Sequence, residues 1–255
     1  MGKYYNEDGS YKRIIEIDMI RGFCILLVLF DHLMYNFAVA NVNLDFFIQM
    51  KTLAIRYWYW DVRVFMQYFV VALFFAVSGV SSSFSKNNFI RGAKIFFIAM
   101  GLTVVTMIYA VVANDPGSVI DFGVIHVFGV CILVFALVSH LKNPWLIIIA
   151  AVAIFLGWYI PTLEIPTTSK AFLMFGITPV GYVFGDYYSL FPWLGYFILG
   201  GVVGKMFYRE RKSLFGEVAP KITKPILQMG RKSLYYYFGE MIILMPIFYL
   251  LYLAF

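Results

Sequence analysis

Residues 18–36 read DMIRGFCILLVLFDHLMYN, and this stretch decides the fold. It is apolar enough to cross a bilayer, yet it holds Asp18, Arg21, Asp31, His32 and Asn36. Ionisable groups are costly in lipid, so those in a span face a protein interior or a watery cavity. Arg21 and His32 are eleven residues apart, or about three helical turns, so both side chains leave nearly one face, about 16 Å apart along the axis. Asp18 and Asn36 fall close to the same stripe. Asp31 lies about a quarter turn off it.

The rest of the chain fits this reading. Of 255 residues, 62% are hydrophobic and 13% charged, against about 25% charged in soluble domains. Repeated apolar runs predict an all-α polytopic membrane bundle, a single domain over 1–255. About seven spans are expected, near 17–38, 62–84, 90–112, 120–139, 144–161, 189–207 and 230–253. Residues 1–16 read as a polar tail, and 208–229 as a basic loop. Residues 39–60 read as a connection whose Tyr57, Trp58, Tyr59 and Trp60 form an interfacial belt. The prolines and glycines of 162–187 suit a loop or a partly inserted element. The N-terminal apolar run and Ala38-Val39-Ala40 resemble a cleaved leader, but Asp31, His32 and Asn36 interrupt the run, so the first span is expected to be kept. Cys24 and Cys131 both sit in apolar runs and read as small core residues, not a disulfide.

Charge placement sets the orientation. With the N-terminus in the cytoplasm, sixteen Lys and Arg fall inside and four outside, namely Lys51, Arg56, Arg63 and Lys170. That asymmetry follows the positive-inside rule. The net charge of +6 is therefore read as topology and attraction to anionic lipid, with no nucleic-acid partner. Arg21, on the polar stripe near the inner surface, also suits an anionic cytosolic ligand. No HExxH, cysteine cluster or phosphate-binding glycine loop occurs, so no metal site is expected.

At these residues the chain resembles a known family. Asp18-x-x-Arg21-Gly22 and the ten residues between Arg21 and His32 are similar to the Arg-x10-His signature of the transmembrane acyltransferases. The closer resemblance is to bacterial relatives of heparan-α-glucosaminide N-acetyltransferase. Residues 75–79 (FAVSG), 122–129 (FGVIHVFG), 186–195 (DYYSLFPWLG) and 230–234 (GRKSL) look like later blocks of that family, in order. One departure stands out. A histidine is expected shortly after the last block, where this chain has Gly239-Glu240.

The resemblance implies acyl transfer across the membrane, multi-pass and in a bacterial inner or plasma membrane. A cytosolic acyl-CoA, typically acetyl-CoA, donates. An extracytoplasmic hydroxyl or amine, often of a sugar or glycan, accepts. Arg21, Arg231 and Lys232 then suit the phosphates of CoA. His32 would act as general base or carry the acyl group, with His126 or Asp186 orienting it or the acceptor. Asp18, Asp31, Asn36, Ser78, Trp193 and Glu240 complete the candidates, Glu240 standing where the histidine is expected. Bland readings stand beside these: Asp31 solvated near the outer side, Asp186 a helix cap, His126 a helix-end bond, Trp193 an interface anchor, Ser78 a small packing residue. A proton-coupled transporter would use the same intramembrane His, Asp and Glu, and a non-catalytic membrane scaffold would need none of them. Self-association into a homo-oligomer stays open.

Overall fold

The computed structural model describes residues 14–40, 42–183, 185–214 and 220–254. Lys3, Lys12 and Arg13 of the expected tail, and 215–219 of the expected basic loop, lie outside them. Among the described residues there are nine α-helices: α1 (Ile15–Val39), α2 (Asp45–Trp58), α3 (Asp61–Ser82), α4 (Asn88–Ala113), α5 (Val124–Val138), α6 (Asn143–Tyr159), α7 (Trp193–Phe207), α8 (Pro220–Arg231) and α9 (Ser233–Ala254). The all-α membrane bundle is what the apolar runs predict. Four helices are long and apolar enough to cross a membrane: Ile15–Val39, Asp61–Ser82, Asn88–Val112 and Asn143–Leu163. Val124–Val138 and Trp193–Phe207 are shorter and apolar, and α9 stands where the last span is expected.

Local chemistry sets several boundaries. Asn114 closes α4 in the left-handed region at φ 51°, which asparagine tolerates better than most residues. Pro144 lies in the first turn of α6, where its missing N–H costs no helical bond. Within 162–187 the described residues form a short 3-10 turn at Lys170–Phe175, following another at Ile160–Leu163, and an isolated bridge joins Tyr187 to Phe122.

Two expectations are corrected. The connection 39–60 contains a helix, α2, because its alternating polar and apolar residues supply one packing face. It does not cross. Its start touches Phe37 through Phe46 and Phe47, and its end touches Phe30 and Tyr35 through Tyr57 and Trp58. The basic loop 208–229 likewise ends in a helix, α8, whose apolar side packs on α1.

The chain divides into two compact units, Met1–Phe74 with Glu210–Phe255, and Phe75–Arg209. In the first, α1 is the hub, with α2, α8 and α9 against it. In the second, α4 pairs with α5, α6 with α7, and α5 with α7.

Glycine permits the closest approach in both. Where α1 crosses α8, a Cβ on Gly22 would sit 1.9 Å from the Ile226 carbonyl oxygen, and one on Gly230 would sit 1.8 Å from that of Asp18. The two helices thus exchange glycines, each opening room for the other's backbone. In the second unit, Gly79 meets the Phe197 carbonyl and Gly200 that of Ala76 in the same way. Such small-residue crossings drive helix association in membranes, where packing replaces the hydrophobic effect.

The reciprocal crossing makes a direct prediction. Gly22→Val or Gly230→Val must push backbone against backbone, so each should cost at least the roughly 1–3 kcal/mol typical of overpacking. Thermal unfolding in detergent should show a clear fall in Tm, whereas Gly239→Ala, with open space around its Cβ position, should show little.

Candidate functional site

The polar groups of α1 are met one by one within the first unit. At its start, Glu16 accepts from the Ser213 hydroxyl at 2.6 Å and the Leu214 amide at 2.7 Å. Asp18 accepts from Arg231 Nε at 3.2 Å. This bond is possible because Gly22 and Gly230 bring α1 and the end of α8 into contact. Lys232 is exposed between α8 and α9, with its backbone N–H bonded to the Gln228 carbonyl. Arg21 shares this end of α1. Its Nε is buried and has no hydrogen-bond partner among the described residues.

Further along, Asp31 is held from two sides. Arg63 donates through Nε to Oδ1 at 2.9 Å and through Nη2 to Oδ2 at 2.5 Å, and the Tyr57 hydroxyl donates to Oδ1 at 2.9 Å. The Arg63 guanidinium stacks 3.7 Å from the Trp58 ring centre, a cation–π contact. Burial and the bond to Asp31 push the Tyr57 phenol up to about 12, so it remains a donor at neutral pH. The solvated reading of Asp31 is therefore corrected: the carboxylate is locked to a buried arginine. Arg63, only 7% exposed, is an internal partner and not a free charge marking topology. The expected aromatic belt also splits, with Tyr57 and Trp58 turned into this lock while Tyr59 and Trp60 stay exposed.

One residue on, His32 meets α9. Its Nδ1 lies 2.8 Å from Glu240 Oε2, with the histidine side chain 35% exposed and the glutamate 9%. The Tyr237 ring, on the same side of α9, stands edge-on 5.7 Å from the imidazole. Asn36 donates to the His32 carbonyl at 2.8 Å and so ties back to its own helix.

The other candidates belong to the second unit. His126 is fully buried. Its Nδ1 accepts from the Gly123 amide at 3.2 Å, and its Nε2 lies 3.0 Å from Thr103 Oγ1. Thr103 in turn donates to the Ile120 carbonyl at 2.7 Å. Asp186 Oδ2 accepts from the Val124 amide at 3.2 Å, and a Cβ on Gly123 would collide with it at 2.3 Å. Both residues thus serve the amides that open α5, which have no partner within the helix. Trp193, 4% exposed, packs between Phe75 and Tyr188. Ser78 is fully buried, its hydroxyl without a hydrogen-bond partner among the described residues.

The sequence reading missed Arg63, Tyr57 and Thr103 as partners. Thr103, a hydroxyl deep in an apolar run, was a visible signal. The Asp31–Arg63 pairing was not, since nothing in the chain marks two residues 32 apart as neighbours.

With this geometry in place, comparison with known proteins decides the family. The catalytic family described as heparan-alpha-glucosaminide N-acetyltransferase matches residues 13–242. The chain belongs to that family. It is a transmembrane acetyltransferase by membership, and the match runs through both compact units. Neither a curated protein nor a solved structure matches the chain at a significant level.

The Asp31 lock can be opened by substitution on either side. Arg63→Ala leaves a carboxylate in a span without its counter-charge, with only the Tyr57 hydroxyl on it, which should cost up to about 3–5 kcal/mol and lower the Tm. Asp31→Leu combined with Arg63→Met removes both charges and should recover most of that loss. Equal losses in the single and double variants would show that the pair does not hold α1 to α3.

Proposed function

We propose that this acetyltransferase moves an acetyl group from cytosolic acetyl-CoA to a hydroxyl or amine of an extracytoplasmic acceptor, a sugar or glycan, with His32 as the general base. The observation that carries the proposal lies on α1. Glu16, Asp18, Asp31 and Asn36 are each committed to a structural partner, while His32 has Nδ1 held and a third of its side chain open. Nε2 is then the nitrogen for acid–base work. It takes the proton of the attacking hydroxyl or amine, the new C–O or C–N bond forms at the thioester carbonyl, and the C–S bond breaks. The proton passes to the departing CoA thiolate, which returns Nε2 to its starting state.

Arg21 suits the donor end. A buried guanidinium nitrogen with no partner among the described residues is costly to leave unmet, and the phosphates of CoA are the class of group that would satisfy it. Arg231 and Lys232 add positive charge at the same end of α1, with Asp18 holding Arg231 in place. Seven spans with the N-terminus in the cytoplasm put this end inside, on the side of the donor. His126 and Asp186 are assigned to holding the start of α5, not to proton transfer. Trp193 and Ser78 are assigned to packing.

Two measurements test this reading. Purified protein with radiolabelled acetyl-CoA and a panel of amino sugars should transfer label, and His32→Ala should lower kcat by about 10²–10⁴-fold, the usual range for losing a general base. CoA alone should raise the Tm of the wild type, since a ligand that binds the folded state stabilises it, and Arg21→Ala should abolish that rise. Full activity in His32→Ala would remove the assigned base. Proton-driven uptake in proteoliposomes without any CoA effect would favour a transporter instead.

A further inference from the structure

We infer that Glu240 is the positioning residue for His32: it fixes the imidazole tautomer and ring orientation from α9, so that Nε2 is the nitrogen presented to the acceptor. The inference rests on the proposed role of His32 and goes beyond it, because it assigns the work of a second helix. It also gives a physical role to the position where this chain departs from the pattern it resembles.

Three observations carry it. The Nδ1–Oε2 distance is 2.8 Å, within the range of a charge-assisted bond. The glutamate side chain is 9% exposed while the imidazole is 35% exposed, so the carboxylate is the more deeply buried member of the pair. Tyr237, three residues before Glu240 and so on the same face of α9, stands edge-on against the imidazole at 5.7 Å, which limits rotation of the ring. A carboxylate paired in this way holds the histidine in one tautomer and stabilises the imidazolium that forms when Nε2 takes a proton, the role of the acid in a catalytic triad.

The partners of Asp31 and Asp18 on α1 are committed elsewhere. From α3, Arg63 goes to Asp31, as does Tyr57 from α2. From α8, Arg231 goes to Asp18, fourteen residues and about 21 Å down the helix. Glu240 is thus the carboxylate that the described residues place on the His32 ring.

The decisive experiment reads the ring directly and needs no acceptor. Protein labelled with 15N-histidine, in nanodiscs at a pH where the ring is neutral, is examined by NMR, with His32→Gln used to assign the signal. The wild type should show His32 protonated on Nδ1 and bare on Nε2. Glu240→Ala should convert it to a mixture of tautomers, and Glu240→Asp should keep part of the wild-type signature. A wild-type ring protonated on Nε2, or a tautomer unchanged in Glu240→Ala, would overturn the inference whether or not the protein transfers acetyl groups. In the labelled acetyl-CoA assay, Glu240→Ala should lower kcat at least tenfold with the KM for acetyl-CoA held within twofold, and Glu240→Asp should restore part of kcat. A fall in thermal stability that matches the fall in kcat, with no partial recovery in Glu240→Asp, would assign Glu240 to structure alone. Activity unchanged in His32→Ala, with the Nδ1 signature present, would refute the function and leave the pairing standing.

Discussion

A polar group on a helix bounded by lipid must find its partner within the protein, and α1 carries more such groups than any single neighbour can meet. The first unit is arranged around that constraint. Glu16 draws in residues 213–214, Asp18 draws in the end of α8, Asp31 draws in α2 and the start of α3, and His32 draws in α9. Each bond is made by a different segment, and several of those segments lie about 200 residues away in the chain. The polar stripe therefore does in this unit what a hydrophobic core does in a soluble domain. It decides which elements assemble and at what height along the central helix.

Backbone proximity makes these bonds reachable. Side chains as short as aspartate can join helices only if the axes come close, and the exchanged glycines at Gly22 and Gly230 let α1 and α8 do so beside the Asp18–Arg231 bond. The second unit uses the same device for another end. Gly123 leaves room for the Asp186 carboxylate to reach the first amide of α5, while His126 satisfies the amide before it. Here a histidine and an aspartate, residues that suggest catalysis on paper, meet the amides of a helix terminus.

That contrast marks what the chain discloses on inspection and what it withholds. The membrane class was legible because apolar runs of span length are a local property, readable residue by residue. The stripe on α1 was legible for the same reason, since helical spacing turns sequence separation into direction. Partners were not legible. Asp31 and Arg63 each have a plausible independent reading, one as a solvated carboxylate and the other as a topology charge, and only their pairing removes both. The helix α2 was hidden by its aromatics, which serve equally well as an interfacial belt or as a packing face. Two of them, Tyr57 and Trp58, took the second use.

Glu240 shows how far a departure from a pattern can be read. At the position where a histidine is expected, a second imidazole could share a proton with His32 in either direction, because each ring can donate and accept. A carboxylate cannot donate when ionised. Paired with a carboxylate in that form, a neutral His32 would carry its proton on Nδ1 and a lone pair on Nε2, which is the arrangement inferred above. Glu240 sits on a helix that carries no other charged residue between Ser233 and Ala254. A lone carboxylate in so apolar a helix requires a partner, and the imidazole 2.8 Å away gives it one.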